Sequence, residues 1–370
     1  MAYFVFVLIL LLFSYLGIIY TYSHYSNKIE LYNNIIGFIS LSLVFFNVLI
    51  ILALMFQDIT LHLDLVPGFL FVFGFPIALN LVLLIISSLL VFIFKKYIKS
   101  TDFNKFRLKM EKSLKERSKL KNDTYRKIPH VLIFIGLLAL WIIGTIFIHN
   151  LTGSNEGMIP DENNTLQLYI QLFTSTGNAK DILLALGWFY YLLFFFFYIF
   201  CIFMLFNEFT RKSKTLSYPF NFFCTIFLCD DEKNSYGTYL HFAIGLMFAS
   251  FTSPPMVLFS ILAMCSISDL MTSQIGIRFG KTHIKWNKSK TWEGALAGII
   301  SSFILCFIFV GLVWALIFTM IFFVFDVLTM KPLKISDNLI VPIACSSAYL
   351  FIRYFFNLNY VITFVALFGI

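Results

Sequence analysis

Hydrophobic residues occur along this chain in long runs that short polar segments separate. A helix perpendicular to a bilayer needs about 20 apolar residues to cross the hydrocarbon layer. Runs of that order predict membrane-spanning helices over residues 2–22, 35–56, 67–94, 128–148, 182–206 and 339–356. The first run lacks the cationic leader of a cleavable signal peptide, so we expect it to be retained. The pattern predicts an all-α, polytopic transmembrane helical bundle.

Further apolar stretches are interrupted or of unusual length. Residues 239–251 and 255–268 flank a pair of prolines, which break a helix and predict a tight hairpin. The run 295–325 would measure about 46 Å as a single helix. It is either one tilted span or a hairpin that turns near Gly311, and the polar, basic residues after it favour the hairpin. With the short run 218–229, predicted to be interfacial or partly inserted, the chain has about 9–10 membrane segments.

Composition and charge also indicate a membrane protein. Hydrophobic residues make up 60% of the 370 residues and charged residues 12%, against about 25% charged residues in soluble domains. The formal net charge of +8 comes from Lys and Arg clustered between apolar runs. This distribution is typical of cytoplasmic loops, so we expect no nucleic-acid partner. The six cysteines show no metal-ligand spacing and predict reduced packing residues.

The longest charged segment covers residues 95–127, with thirteen Lys and Arg against four Asp and Glu. Its apolar residues recur at helical spacing, which is the pattern of a basic helix on anionic lipid headgroups. A solvated linker helix fits the pattern equally well, and either alternative predicts the cytoplasmic side. We divide the chain into an accessory N-terminal transmembrane bundle (1–94), a basic linker (95–124) and a catalytic transmembrane domain (125–370).

The stretch 268–298 carries the strongest chemical signal. Asp269 ends an apolar run, five cations and no acidic residue occur from Arg278 to Lys290, and Glu293 opens the next helix. Polar groups at a membrane are costly and often functional. A metal-bound polyphosphate requires carboxylates and cations close together. The stretch is therefore a candidate site for such a ligand.

Four polar patches share the predicted cytoplasmic face, and their order and spacing are similar to those of a known family. The patches are Arg126-Lys127-x-x-His130; Gly237 with Gly245; Asp269-x-x-x-Ser273-x-x-Gly276-x-x-Phe279-Gly280-Lys281 with Lys290-Thr291-x-Glu293-Gly294; and Asp337-Asn338-Leu339-x-x-Pro342. Over residues 125–356 this pattern resembles the CTP-dependent polyprenol kinases, which include dolichol kinase, phytol kinase and CTP-dependent diacylglycerol kinase.

The chain departs from that family in three places. Ser268 stands where the family usually has Gly before the aspartate. The acidic residue that usually precedes the Asp-Asn pair is missing at its expected place, and Asp326 is the candidate substitute. Residues 1–94 lie outside the family core. Residues 290–294 read KTWEG, which is similar to phosphatidate cytidylyltransferase (CDP-diacylglycerol synthase). Nothing after Gly298 resembles the C-terminal signature of that enzyme. A membrane transporter or scaffold is a non-enzymatic alternative with the same hydropathy.

The resemblance implies a membrane lipid kinase that transfers the γ-phosphate of CTP to the hydroxyl of a lipid alcohol, with dolichol or another polyprenol as the expected substrate. The expected cofactor is Mg²⁺ or another divalent cation. The expected partners are CTP, the lipid alcohol and anionic lipid headgroups at the basic linker. We expect an integral, multi-pass protein with its site on the cytoplasmic face, in the cell membrane of a prokaryote or the endoplasmic reticulum of a eukaryote.

Phosphoryl transfer depends mainly on positioning and electrostatic stabilisation, which suggests roles for single residues. Asp269 and Asp337, with Asn338, would hold the metal or activate the lipid hydroxyl. Glu293 would be a second metal ligand, or only a carboxylate that favours a helix start. His130 would act as a base or orient the substrate. The residues expected to bind the nucleotide either have a positively charged side chain or are glycines that let the backbone approach the phosphates. They are Arg126, Lys127, Gly276, Gly280, Lys281 and Lys290.

Overall fold

The computed structural model describes residues 31–44, 65–97, 118–152, 188–211, 216–219, 221, 236–329 and 333–361. Regular structure in these ranges is helical, apart from one isolated antiparallel bridge between His283 and Thr291. The predicted all-α class is therefore confirmed. The predicted span 2–22, most of the basic linker and most of segment 218–229 lie outside the described residues.

Nine helical stretches within the described ranges are numbered in chain order. They are α1 (Leu31–Val44), α2 (Leu65–Tyr97), α3 (Lys119–Thr152), α4 (Trp188–Arg211), α5 (Thr238–Thr252), α6 (Pro255–Ala263), α7 (Asp269–Phe279), α8 (Trp292–Leu328) and α9 (Asp337–Phe356). In the described part of the chain, four stretches are long and apolar enough to cross a membrane: Leu120–Leu151, Pro255–Phe279, Trp292–Leu328 and Asp337–Phe356. This supports a membrane protein, and the count of 9–10 segments stays a prediction.

Helices α5 and α6 form the centre of the bundle. Every residue of α6 is buried, as is α5 from Leu240 onward, which is expected for helices that are apolar on all sides. Phe259 of α6 packs against Phe189 of α4 and Phe309 of α8, with ring centroids 5.8 and 5.9 Å apart. The outer helices instead expose large apolar side chains such as Ile143. The described cysteines are all buried free thiols, as predicted.

The predicted break at the proline pair is confirmed. Helix α5 ends at Thr252 and α6 begins at Pro255, with extended backbone at Pro254 (φ −64°, ψ 160°). The two helices fold back on each other, so that His130 of α3 stacks on Phe242 near the start of α5 and also lies close to the backbone of Cys265 beyond α6. The proline residues thus make the hairpin that the sequence predicts.

Helical structure continues past Asp269, the residue at which the apolar run ends. A π-helical turn, Met264–Ser268, connects α6 directly to α7, and helical structure continues to Phe279. The loop therefore begins only at Gly280. A π turn inserts an extra residue into a helix and often occurs at functional sites. Here it immediately precedes the first site carboxylate.

The long apolar run 295–325 is a hairpin, which confirms the favoured prediction. Gly311 has φ 78° and ψ −179°, a conformation that is essentially restricted to glycine. The Ser302 hydroxyl lies 3.2 Å from that of Thr319, 17 residues away, whereas a straight helix would separate them by about 25 Å. The two arms of α8 thus return Asp326 to the end of the bundle where α8 begins.

Glycines allow the close approach of α7 to the first arm of α8. A Cβ atom at Gly294 would lie 2.6 Å from the carbonyl oxygen of Thr272 and 3.1 Å from the Cα atom of Gly276. A similar approach joins α5 to α9, because a Cβ at Gly245 would lie 2.9 Å from the carbonyl oxygen of Asn338. These contacts hold α7 against the first arm of α8 and α5 against the start of α9.

Candidate metal and phosphate site

Three carboxylates converge at one end of the bundle. Asp269 is the first residue of α7, Asp326 lies in the last turn of α8 and Asp337 is the first residue of α9. One oxygen of each carboxylate lies within 4.8 Å of the others. The π turn, the Gly311 hairpin and the start of α9 deliver these side chains from three separate parts of the sequence.

Lys290 lies among these carboxylates. Its Nζ atom is 2.5 Å from Oδ1 of Asp326 and 3.2 Å from Oδ2 of Asp337. The folded loop 280–291 fixes this position: the amide of Ile284 donates to the Lys290 carbonyl at 3.1 Å. The side chain of buried Asn287 donates to the carbonyl of Thr329 at 2.9 Å, which ties the loop to the end of α8.

The ammonium group of Lys290 stays charged in this position. Burial alone would lower the pKa of Lys290, but the carboxylates of Asp326, Asp337 and Asp269 outweigh burial and raise this pKa above its usual range. Short-range Coulombic attraction favours the charged form of the lysine. Lys290 is therefore a permanent positive charge among three acidic side chains.

Helix α3 supplies a second lysine. The Nζ atom of Lys127 lies 2.7 Å from Oδ1 of Asp269 and 2.7 Å from the carbonyl oxygen of the same residue. One turn earlier, Asp123 accepts a hydrogen bond from Ser273 of α7 at 2.6 Å. The guanidinium of Arg126 donates to the Thr238 hydroxyl at the start of α5, at 3.3 Å. The Arg-Lys pair of α3 thus contacts both α5 and α7 beside the carboxylates.

His130 lies one helical turn after Lys127 and is buried between helices. Its ring stacks on Phe242 with centroids 3.8 Å apart and an interplanar angle of 4°. The ring lies close to the backbone of Cys265 in the π turn, and Nδ1 has no hydrogen-bond partner among the described residues. The structure therefore places this predicted residue beside the cluster, with one ring nitrogen still available.

Other predicted site residues have structural contacts of their own. Glu293 accepts the amide of Thr282 at 3.0 Å and so fixes the start of the loop; it is not one of the three grouped carboxylates. Lys281 is exposed. Gly276 and Gly280 pack against the Thr291 side chain, which explains both glycines without a ligand. The amide of Asn338 donates to Oδ1 of Asp337 at 2.9 Å. The nucleotide and metal roles of these residues stay predictions.

Two acidic residues of this region were absent from the predicted site. Asp326 was noted only as a possible substitute, although an acid at the end of a long apolar run is a general signal of function. Glu208 is buried near the end of α4, where it pairs with Arg211 at 2.8 Å and accepts from the Tyr239 hydroxyl and the Gly237 amide. Glu208 thereby fixes the start of α5, which explains the patch at Gly237.

Comparisons with protein-family models, with curated proteins and with solved structures found no match. The chemistry must therefore be argued from the site. Carboxylate oxygens are the preferred protein ligands of Mg²⁺, and three within 4.8 Å form a donor set that fits such a cation. Two lysines and Arg126 lie in contact with the same elements. The arrangement suits a divalent cation together with an anionic ligand.

Proposed function

We propose that this protein is a membrane lipid kinase that transfers the γ-phosphate of CTP to the hydroxyl of a lipid alcohol, with dolichol or another polyprenol as the expected substrate. One observation carries the proposal: three carboxylates and two lysines meet at one end of a bundle of apolar helices. The choice of CTP and of a polyprenol rests on the motif pattern over residues 125–356.

In this proposal the carboxylates of Asp269, Asp326 and Asp337 hold Mg²⁺. The bound cation would neutralise negative charge that develops on the transferring phosphoryl group. Carboxylates that coordinate a cation no longer need Lys127 and Lys290 as counter-charges. The two ammonium groups would then bind phosphate oxygens of the nucleotide, since such charge-assisted hydrogen bonds are short and strong.

The position of the site at the end of apolar helices suits a lipid acceptor. A polyprenol stays in the bilayer and presents its hydroxyl near the headgroups, where a nucleotide from solution can meet it. His130 would orient that hydroxyl, because its Nδ1 atom is buried beside the site and has no partner among the described residues. The products would be a lipid monophosphate and CDP.

The KTWEG sequence at residues 290–294 favours a second candidate, phosphatidate cytidylyltransferase. That enzyme also uses a metal-bound CTP, but the phosphatidate oxygen attacks the α-phosphorus and pyrophosphate leaves. Lys290, the first residue of the KTWEG sequence, lies among the carboxylates. Either reaction would use these carboxylates. Only the labelled phosphorus atom that reaches the lipid distinguishes the two reactions.

The test is to purify the protein in detergent and supply Mg²⁺ with γ-labelled CTP and mixed lipid alcohols, or α-labelled CTP and phosphatidate. Label from the γ position in the lipid fraction supports the kinase, and label from the α position supports the cytidylyltransferase. Label from neither position contradicts both and favours a transporter or scaffold. Asp337→Asn should abolish the transfer, whereas Asp123→Asn keeps an oxygen acceptor for Ser273 and should retain it.

A further inference from the structure

His241 on α5 is a buried histidine with no assigned role. Only 3% of its surface is exposed, and neither ring nitrogen has a hydrogen-bond partner among the described residues. A neutral imidazole carries one donor and one acceptor, and leaving both unpaired away from water is costly. Such unsatisfied buried groups are rare in native proteins and require an explanation.

The backbone geometry directs His241 towards the carboxylate site. Residues four apart lie on the same face of a helix, so His241 shares a face with Gly245. Gly245 contacts the carbonyl oxygens of Asn338 and Leu339 in the first turn of α9. His241 is one turn nearer the start of α5, the end at which Thr238 contacts Arg126. It therefore faces the beginning of α9, and the charge of Asp337 acts on its ring.

Other buried polar atoms without partners flank the same carboxylates. They are Nδ1 of His130 on α3 and the hydroxyl of Ser268, directly before Asp269 in the π turn. Ser268 has no exposed surface, and 9% of His130 is exposed. The Asp337 charge acts on the rings of both His130 and His241. Two buried imidazoles with unused hydrogen-bonding groups thus lie near this carboxylate, which indicates that a polar group of a ligand binds there.

The surroundings of His241 distinguish between the two substrates. The two lysines of the site pair with its carboxylates, Lys127 with Asp269 and Lys290 with Asp326 and Asp337. The ring of His241 packs edge-on against the ring of Tyr236, with centroids 6.4 Å apart, and the charge that acts on the His241 ring is that of the Asp337 carboxylate. The Asp337 carboxylate would repel a triphosphate here. A neutral hydroxyl on an apolar chain would not meet this penalty.

We propose that His241 binds the hydroxyl group of the acceptor alcohol. A hydroxyl both donates and accepts hydrogen bonds, so it can pair with either ring nitrogen of the imidazole while its oxygen lies beside Asp337. The identity of the ligand rests on the proposed lipid kinase function. In that reaction His241 would be a residue that contacts the substrate and fixes the direction of its oxygen.

The test compares His241→Leu, which removes both polar groups, with His241→Gln, which keeps a donor and an acceptor. With geranylgeraniol as acceptor, the Leu variant should raise the KM for the alcohol at least tenfold and change the KM for CTP less than twofold. The Gln variant should recover part of the loss. Ser253→Ala is the matched control, because it removes an unpartnered buried hydroxyl at the opposite end of α5 and should leave both constants unchanged.

A thermal-melting measurement without nucleotide tests the binding directly. Geranylgeraniol should raise the melting temperature of the wild type but not of His241→Leu, and its methyl ether, which cannot donate, should have a smaller effect. Without ligand, the Leu variant should melt at the same or a higher temperature, since it loses unsatisfied polar groups.

An equal stabilisation of the wild type and the Leu variant by the alcohol would overturn the inference. So would a Leu variant that melts several degrees lower and loses affinity for both substrates together, because that result indicates a structural role. If the wild type transfers no label from CTP, the proposed function fails. The alcohol-dependent melting shift then still decides whether His241 binds a hydroxyl.

Discussion

Lys290 and Asp326 form an ion pair at 2.5 Å although 36 residues separate them in the chain. The pair closes the α8 hairpin at the end opposite the turn at Gly311, because Lys290 precedes the first arm and Asp326 ends the second. The same ammonium lies 3.2 Å from Asp337. One lysine therefore neutralises acidic groups from α8 and α9 and fixes both at the site.

Lys290→Met should destabilise the protein strongly. The change leaves three close carboxylates with one lysine fewer, and breaking a buried ion pair typically costs about 3–5 kcal/mol. Thermal melting in detergent should show a large decrease for Lys290→Met and little change for Lys281→Met, whose side chain is exposed. Millimolar Mg²⁺ should restore part of the stability of Lys290→Met, because the cation replaces the missing charge. Equal melting temperatures of the two variants would contradict the arrangement.

The stabilisation that Lys290 provides should depend on pH in a defined direction. Because the folded-state pKa of Lys290 is raised, its stabilising effect is complete below the unfolded-state pKa of about 10.4 and decreases as pH rises towards the folded-state value. The difference in melting temperature between wild type and Lys290→Met should be constant from about pH 6 to 9 and narrow only above about pH 10. If the difference in melting temperature narrowed at neutral pH, deprotonation of Lys290 could not be its cause.

Asp326→Asn should weaken binding of a divalent cation at least tenfold. The carboxylate provides one of three oxygens within 4.8 Å of one another, and an amide is a weaker ligand for a hard cation. Mn²⁺ titration followed by electron paramagnetic resonance measures this affinity directly.

Glu293→Gln is the matched control for this titration. Glu293 bonds the amide of Thr282 and lies outside the group of three carboxylates, so the variant should keep the wild-type Mn²⁺ affinity. If Mn²⁺ affinity decreased with Glu293→Gln but not with Asp326→Asn, the result would instead support Glu293 as a metal ligand.

A disulfide between Ser302→Cys and Thr319→Cys should form on mild oxidation. The two hydroxyl oxygens lie 3.2 Å apart across the α8 hairpin, and disulfides require Cα atoms within about 7 Å. The pair Ser301→Cys and Thr319→Cys is the control, since Ser301 points about 100° away around the helix and should react slowly. Mass spectrometry of proteolytic peptides measures disulfide formation in both cysteine pairs. Failure of the first pair to react would indicate a single long span.

Gly294→Ala should destabilise the protein by about 1–3 kcal/mol, the usual cost of overpacking. The added Cβ would lie 2.6 Å from a backbone oxygen of Thr272, which cannot rotate away. Gly136→Ala on α3 has no atom within 4 Å of the new Cβ and should be neutral or stabilising by up to about 1 kcal/mol, because Ala favours helix. Chemical denaturation of the two variants in detergent distinguishes these outcomes.

The helices and their breaks could be predicted because their causes are local. A run of apolar residues predicts a buried or lipid-facing helix wherever it occurs, and a proline pair interrupts a helix through its own missing amide and ring. A turn near Gly311 could also be predicted, because the apolar run around it is too long for a single perpendicular span. Asp269 and Asp337 were also identified, because acids at the ends of such runs are unusual.

The composition of the site depended on tertiary structure. Asp326 joins Asp269 and Asp337 only because the two arms of α8 fold back, and the sequence alone left that fold-back undecided between two alternatives. The π turn before Asp269 has no sequence signal that we identified. His241 reads in the sequence as one polar residue in an apolar helix, and only the packing shows that it lacks partners.

The sequence by itself thus determined the helical class, the membrane environment and the helix break at the proline pair, because hydrophobic runs and Pro act within one segment. Only the tertiary structure decided which acids share a cation, where Lys290 lies and why Gly276 and Gly294 are glycines. The physical reason is that ion pairs and close helix contacts depend on distances between segments far apart in the chain. Those distances follow from how all the helices pack together, and no single segment encodes them.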